Sequence, residues 1–474
     1  MLRTARLSLS SVWAIASVVL PLLLIAALRM GSVDLTYHLR AGAMMLETRA
    51  LLRVDSFTFT AAGAPWVDQQ WLAQIVLALV FQAGGWFALM LTRVLLSGAA
   101  LALVFATCRS RGATMRRAAW LTMGGAALLL PTLQLRPQLF GVVAFALTLW
   151  LLADRHARTI RLWCLVPVVM LWANLHGTFV LAFGLIGLAW LEDLNERRAG
   201  ASRLVFVGIA AIAASFVNPF GVGVWRYVWD LSSNPSVRAL AAEWQATSFD
   251  SYSGATFLVS VVVTAGLLWR ERAVTRWSTW LTLAVFLVIG LMSVRGVYWW
   301  ALVTPTVLAA SRLGRERHAR PDPSNKANLF IVGALVTTLA LLLSRWTPYQ
   351  RALPVPGSMI TEAPMGVTES LRVVLRPGER VFGAQAWGSW LEFALPDHPV
   401  AVDSRIELFP VDVWTRYALV SRGDAGWQRV LDEWQVRVVA VNPQQQPLLI
   451  QRLTPDSAWQ LVHRDADGLV FVRR

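Results

Sequence analysis

The chain has 474 residues, of which 56% are hydrophobic and only 15% charged, and its mean hydropathy is +0.53. One soluble core cannot bury that much apolar surface, so the composition excludes a purely soluble globular protein and assigns most of the chain to lipid. The net charge of +15 would suggest a nucleic-acid partner in a soluble protein, but here the arginines sit in short connections between apolar runs, the positive-inside pattern of a multi-pass membrane protein. Cys108 and Cys164, the two cysteines, build neither a disulfide framework nor a thiolate metal cluster.

In chain order, Arg3 and Arg6 precede an apolar stretch from about Val12 to Leu28 that imitates a signal peptide. It is long for one and no small-residue cleavage site follows, so it reads as a retained first span. Apolar runs near 12–30, 87–107, 118–133, 139–153, 162–173, 178–191, 204–217, 255–269, 278–294, 297–311 and 327–345 predict about eleven membrane helices. Arginine-rich connections at 109–117, 155–161, 197–203, 270–276 and 312–320 then share the side of the N-terminus, which places it in the cytoplasm and the C-terminus outside.

The run Trp71–Gly84 is shorter than the roughly 20 residues that span a bilayer. It is placed at the outer interface, inside an outer loop over 33–86. The segment 162–191 has arginine-rich flanks on one side and is too short for two full crossings. Two short helices meeting at Asn174-Leu175-His176-Gly177 satisfy both conditions, and that turn is a candidate floor for an outward-facing cavity. Asn218-Pro219-Phe220-Gly221 ends a helix and opens a loop through Trp225, Arg226, Glu243 and Trp244.

The membrane domain is expected over 1–345 and a soluble extracytoplasmic α/β domain over 346–474. Within the latter, Arg380–Phe382, Val400–Asp403 and Val436–Val441 read as strands and Trp459–Arg474 as a hairpin turning at Asp465–Gly468. Ser389–Leu395 and Val411–Val420 read as helices. There is no fixed-period repeat.

Three groups of residues could carry chemistry. Asp34, Tyr37, His38 and Arg40 follow the first span, in a loop that also holds Asp55, Asp68 and Gln70. Asp34 is placed to act as a base on an acceptor arriving from the aqueous side, with His38 one helical turn beyond it; it is equally placed to cap the helix it precedes. Arg40, Arg136 and Arg295 are exceptions to the positive-inside bias. An anionic ligand such as a lipid phosphate would pair them, and snorkelling to headgroups would also account for them. Asn174, His176 and Glu243 are candidates for the cavity, and Asp403 and Arg405 lie at the carboxyl end of a strand, where α/β domains place ligand sites or ion pairs. No phosphate-binding glycine loop, nucleophile elbow or paired-cysteine metal motif is present, which disfavours ATP-driven transport by this chain alone.

With these residues in view, the chain resembles the GT-C superfamily of membrane glycosyltransferases, which includes protein mannosyltransferases, the aminoarabinose transferase of lipid A and oligosaccharyltransferase catalytic subunits. The resemblance runs through Asp34 to His38 with Gly42, the loop Asp55-Ser-Phe-Thr-Phe-Thr-x-x-Gly-x-Pro-Trp66, the turn at Trp172–Gly177, Asn218–Gly221, Trp387-Gly388 and Val402–Arg405. It implies transfer of a sugar from a polyprenyl-phosphate donor to a cell-envelope glycan, lipid or protein acceptor, at the outer face of the cytoplasmic membrane. It also implies Asp34 as the acidic catalytic residue. Many relatives have a second acidic residue next to it where this chain has Leu35, which leaves the acceptor class and a requirement for a divalent metal open. Ser404 stands where the family has glycine. The rival expectations are a transporter or flippase of a lipid-linked glycan, and a non-catalytic envelope scaffold built on the same fold.

Overall fold

The computed structural model describes residues 7–31, 33–198, 200–272, 275–311, 325–347 and 360–474. The helices up to the long loop are α1 (Leu9–Ala27), α2 (Leu35–Thr48), α3 (Trp71–Ser110), α4 (Met115–Leu129), α5 (Pro137–Ala153), α6 (Leu165–Leu175), α7 (Val180–Asn195) and α8 (Ala201–Ser215). Next come α9 (Gly223–Ser233), α10 (Pro235–Leu240), α11 (Tyr252–Trp269), α12 (Trp277–Met292), α13 (Val294–Ala309) and α14 (Asn325–Ser344). The C-terminal part comprises α15 (Met365–Val374), β1 (Val381–Gly383), α16 (Gly388–Ala394), α17 (Val411–Arg422), α18 (Trp427–Glu433), β2 (Val438–Val441), α19 (Pro447–Leu453), β3 (Trp459–Arg464) and β4 (Leu469–Arg473).

Two compact units divide these elements. The first takes residues 1–28, 89–228 and 241–348, and the second residues 29–88, 229–240 and 349–474. This division differs from the expected boundary at 345: the first outer loop belongs with the C-terminal domain. The arginine-rich connection at 312–320 lies outside the described residues.

The first unit is a helical bundle, and the chain is an integral membrane protein. α1, α3 beyond its break, α4 to α8 and α11 to α14 coincide with the eleven expected apolar runs. Five stretches, Leu9–Ala27, Trp71–Ser110, Gly177–Asn195, Tyr252–Trp269 and Asn325–Ser344, are long and apolar enough to cross a membrane on their own. Hydroxyl caps start several helices where the sequence offers Ser or Thr: Ser8 accepts from Ser11 N, Thr114 from Arg117 N, Ser251 from Gly254 N and Ser293 from Gly296 N. α13 is buried from Gly296 to Ala309, as expected of a helix that is apolar all round and sits at the centre of a bundle. Arg93, fully buried on α3, donates to Leu133 O at 2.7 Å and Leu28 O at 3.3 Å, so its charge answers carbonyls that the ends of neighbouring helices leave open.

The second unit is built on a sheet of order β1-β2-β4-β3, with β1 and β2 parallel and the other pairs antiparallel. The expected hairpin is β3–β4, closed where Asp465 N donates to Gly468 O. The strand expected over Val400–Asp403 is corrected: Val400 forms isolated parallel bridges, one of them to Val381, and no strand follows because Val402 and Asp403 turn away to meet α16 and Arg405. Beyond Val400 the sheet is continued by the first loop, since Thr58 bridges Val400 and Phe59 N donates to Val400 O at 3.0 Å. The loop therefore covers an edge that would otherwise present unpaired backbone groups.

The interfacial run expected at Trp71–Gly84 is helical and continuous with the second span. It is interrupted at Gly84 (φ −156°) and Gly85 (φ 58°), the second a left-handed conformation that glycine adopts without penalty. α2 crosses the first turns of α3 so closely at Gly42 that a Cβ there would lie 2.2 Å from Gln74 O. Only glycine permits this crossing, and it brings His38 onto Gln74.

Candidate functional site

Asp34 stands at the N-cap position of α2, half-buried, and its side chain does not cap the helix. The capping alternative for Asp34 therefore loses its hydrogen bond. His38, expected to share a face with Asp34, is buried: its ring lies 3.9 Å from that of Tyr37, and Nδ1 meets Gln74 Nε2 at 3.2 Å. The same amide nitrogen donates to Asp68 Oδ1 at 2.8 Å. Burial raises the Asp68 carboxyl to about 8 against the pull of Arg405 and the hydrogen bonds from Gln74 and the Gln70 backbone, so at neutral pH it is mostly protonated.

Arg405 is the centre of this unit. It holds Asp403 through Nε at 2.8 Å and through its terminal nitrogen, and the same nitrogen reaches Asp55 at 2.7 Å and Glu392 at 3.9 Å. Its guanidinium lies 4.6 Å from the Trp66 ring centre, 4.9 Å from Phe57 and 5.5 Å from Tyr37. Burial alone would lower its pKa, but Asp403, Glu392 and Asp55 raise it well above the ordinary value. Glu392 moves the other way for a carboxyl, since burial first and the neighbouring Asp403 second raise its pKa well above the ordinary range. A protonated Glu392 can donate to Asp403, which gives a hydrogen bond to oxygens that otherwise face no donor. With Glu392 and Asp68 neutral, the charges of Asp55 and Asp403 are balanced by Arg405 and Arg40.

Of the two expectations for Asp403 and Arg405, the structure shows the ion pair, which ties the first loop to the C-terminal domain. Gly388, where an added Cβ would lie 2.3 Å from Val402 O, lets α16 approach this segment. Asp55 is occupied as well, accepting from Thr58 Oγ1 at 2.6 Å and Thr58 N at 3.1 Å. Arg40 donates to Glu392 O at 2.8 Å and Pro396 O at 2.7 Å and stacks over Phe57, so it anchors α2 to α16. Sequence reasoning missed Glu392 and Gln74. The signal for both was a polar side chain embedded in an apolar helix, as in Trp71-Leu-Ala-Gln74 and Ser389-Trp-Leu-Glu392.

In the first unit, Glu243 bridges two of the exceptional arginines, Oε1 to Arg136 at 2.6 Å and Oε2 to Arg295 at 2.9 Å. Arg136 also reaches Gln138 Oε1 at 3.2 Å, and Arg295 lies 4.9 Å from the Trp244 ring centre. Burial would raise the Glu243 pKa, but Arg136 and Arg295 outweigh it and bring it down to about 2. Two cations around one carboxylate leave a net positive charge. At the break between α6 and α7, Asn174 donates to Met170 O and Val217 O, while His176 Nδ1 accepts from Thr178 N at 3.2 Å and opens the turn that starts α7. Among the described residues no three His, Cys, Asp or Glu side chains converge so as to hold a metal ion; where carboxylates do gather, Arg405 is the cation.

No protein-family model matches the chain, and no curated protein does. Solved structures do. The oligosaccharyltransferase of Archaeoglobus fulgidus in its apo form matches at 11% identity and TM-score 0.54, over 97% of this chain and 74% of that one. ArnT from Cupriavidus metallidurans matches at 14% identity and TM-score 0.56 in its apo state, over 97% and 96% of the two chains. The same enzyme bound to undecaprenyl phosphate matches at 16% and TM-score 0.53, over 97% of each chain. The chain therefore has the fold of the GT-C membrane glycosyltransferases, with membrane helices followed by a C-terminal α/β domain.

Proposed function

We propose that this chain is a glycosyltransferase that moves a sugar from a polyprenyl-phosphate-linked donor to a cell-envelope acceptor on the outer side of the cytoplasmic membrane. The observation that carries this reading is the likeness of the chain, over 97% of its length, to a transferase solved with undecaprenyl phosphate. An outer membrane face without nucleotide sugars needs a lipid to carry the donor, which agrees with the membrane helices.

In this reading Asp34 takes the proton from the acceptor nucleophile as the new bond to the sugar's anomeric carbon forms. The anomeric carbon–oxygen bond to phosphate breaks with inversion, and the polyprenyl phosphate leaves with the electron pair. Within the first unit, Arg136 and Arg295, whose charge Glu243 only half neutralises, are the candidates for holding a lipid phosphate. The Asp34 side chain makes no cap hydrogen bond to the helix end.

The test is turnover of a radiolabelled polyprenyl-phosphate sugar by the purified full chain in detergent or nanodiscs. Release of polyprenyl phosphate with label moving to an envelope acceptor is the expected result. Transbilayer movement of the intact donor without cleavage would favour the flippase reading, and neither activity would favour the scaffold, in which Leu35 beside Asp34 is the expected departure.

A further inference from the structure

The first unit contains a second polar region, at the end where α3, α5, α7 and α13 finish and α12 begins. Its acidic groups are already answered. Arg155 donates to Asp193 at 2.9 Å and to Glu192 at 2.9 Å, and Arg276 takes the other Glu192 oxygen at 2.8 Å. Arg155 also spends a nitrogen on Leu152 O at 3.2 Å. Arg111 shares only the longer-range attraction of Glu192, and its Nε is buried and meets no acceptor among the described residues.

Arg111 lines a narrow cleft together with Arg155, Glu192, and Ser278 and Thr279 from the first turn of α12. That turn begins without a side-chain cap, so its N–H groups and positive dipole end add to the charge of Arg111. Further in, the lining is mixed: Leu149 from α5, Leu185 and Leu188 from α7 and Val303 from α13 form an apolar stripe beside Thr282 from α12 and Thr306 from α13. A rim whose arginines, Arg111 and Arg155, outnumber its carboxylate, Glu192, over walls with a leucine and valine stripe fits an amphiphile. A free anion would use only the rim, and a neutral hydrocarbon only the walls.

We propose that this cleft binds the phosphate headgroup of a membrane lipid, with Arg111, Ser278 and Thr279 on the phosphate and the hydrocarbon chain along Leu149, Leu188 and Val303. Basic pockets between membrane helices are a recurrent setting for anionic lipid headgroups. The lipid comes from the leaflet at the arginine-rich end of the bundle. It is a site separate from Arg136, Glu243 and Arg295, and it does not depend on the chain being a glycosyltransferase. A bound lipid would bridge α5, α7, α12 and α13 and so stabilise the bundle by mass action.

The test is thermal unfolding of the purified full chain in detergent, titrated separately with dioctanoyl phosphatidic acid, dioctanoylglycerol and inorganic phosphate. The first should raise the melting temperature in a saturable way and the other two should not. Arg111→Gln should weaken the phosphatidic acid effect by about 10-fold or more, the size expected for losing a charge-assisted hydrogen bond. Should that variant fail to fold, Ser278→Ala combined with Thr279→Val reads the same site. Equal stabilisation by inorganic phosphate would overturn the lipid assignment, and equal stabilisation by dioctanoylglycerol would overturn the phosphate recognition. A folded Arg111→Gln protein, or a folded double variant, that responds like the unaltered chain would overturn the site itself.

Discussion

Arg405 meets Asp55 at 2.7 Å with neither side chain more than 1% exposed, a buried ion pair between the C-terminal domain and the loop that follows the first membrane helix. Removing one partner leaves the other charged and unpaired in a dry environment, which typically costs about 3–5 kcal/mol. Arg405→Gln is the severe case, because Asp403 and Asp55 both lose their counter-ion. Asp55→Asn is milder, since Arg405 keeps Asp403. Thermal unfolding of the two variants should rank them in that order, and a melting temperature unchanged in Arg405→Gln would show that the pair contributes nothing.

The Asp68 carboxyl gives this unit a pH dependence of definite sign. Its pKa is raised from 3.8 to about 8 on folding, chiefly by burial. The folded state therefore binds more protons than the unfolded state between those values. The stabilisation is complete below about 4 and is lost as pH rises through 8. Glu392, raised in the same direction, adds to the trend. Unfolding midpoints measured from pH 5 to 9 should fall with pH, and Asp68→Asn should flatten the slope. A slope as steep in Asp68→Asn as in the unaltered chain would assign the effect elsewhere.

The membrane helices were legible because their signal is local: a run of apolar residues between arginines is the same in any context. The breaks at Asn174–Gly177 and Asn218–Gly221 were legible for a similar reason, a polar or glycine residue where lipid tolerates little irregularity. The partnership of the first loop with the C-terminal sheet was not. Thr58 and Val400, or Asp55 and Arg405, are far apart in the chain, and nothing in either segment alone specifies the other. Val400–Asp403 shows the cost of reading strands locally, since β-branched residues there serve two isolated bridges at Val400 and a turn. Among the site residues, Arg136 and Arg295 were recognisable as exceptions to the positive-inside bias and Glu243 only as a cavity candidate, and their mutual pairing is a tertiary fact.

That pairing sharpens the role of Arg295. In the proposed transfer it contributes to the net positive charge that attracts the donor phosphate, and Glu243 fixes its Nε at 2.9 Å. Arg295→Gln should raise the apparent KM for the lipid donor by about 10-fold or more, and Arg295→Lys should recover only part of it, because a point charge lacks the guanidinium fork. An unchanged KM in a folded Arg295→Gln protein would leave this arginine as a structural partner of Glu243.

Orientation follows from the arginine-rich connections. Alkaline phosphatase fused after Arg474 should be active and fused after Arg272 inactive, since only the first would be exported. The opposite pair of results would place the C-terminal domain in the cytoplasm and remove the reason for a lipid-borne donor.

Asp34 separates the catalytic reading from the structural one most cleanly. Asp34→Asn keeps the size of the side chain but cannot take up the acceptor's proton as the glycosidic bond forms. Loss of a general base typically lowers the rate by about 10²–10⁴-fold. Loss of a helix cap would instead cost about 1 kcal/mol of stability with little change in turnover. On the general-base reading, turnover should collapse in Asp34→Asn without the loss of stability that removal of a cap would bring, since the side chain makes no cap hydrogen bond to α2. Turnover and unfolding measured on the same preparation decide between the outcomes. Full activity would move the base elsewhere, with Asp55, Asp68 and Glu243 next to be tested, although Asp55 and Glu243 are held by arginines and Asp68 is mostly protonated at neutral pH. Loss of activity accompanied by a lower melting temperature would mean that Asp34 holds the start of α2 in place rather than acting on the acceptor.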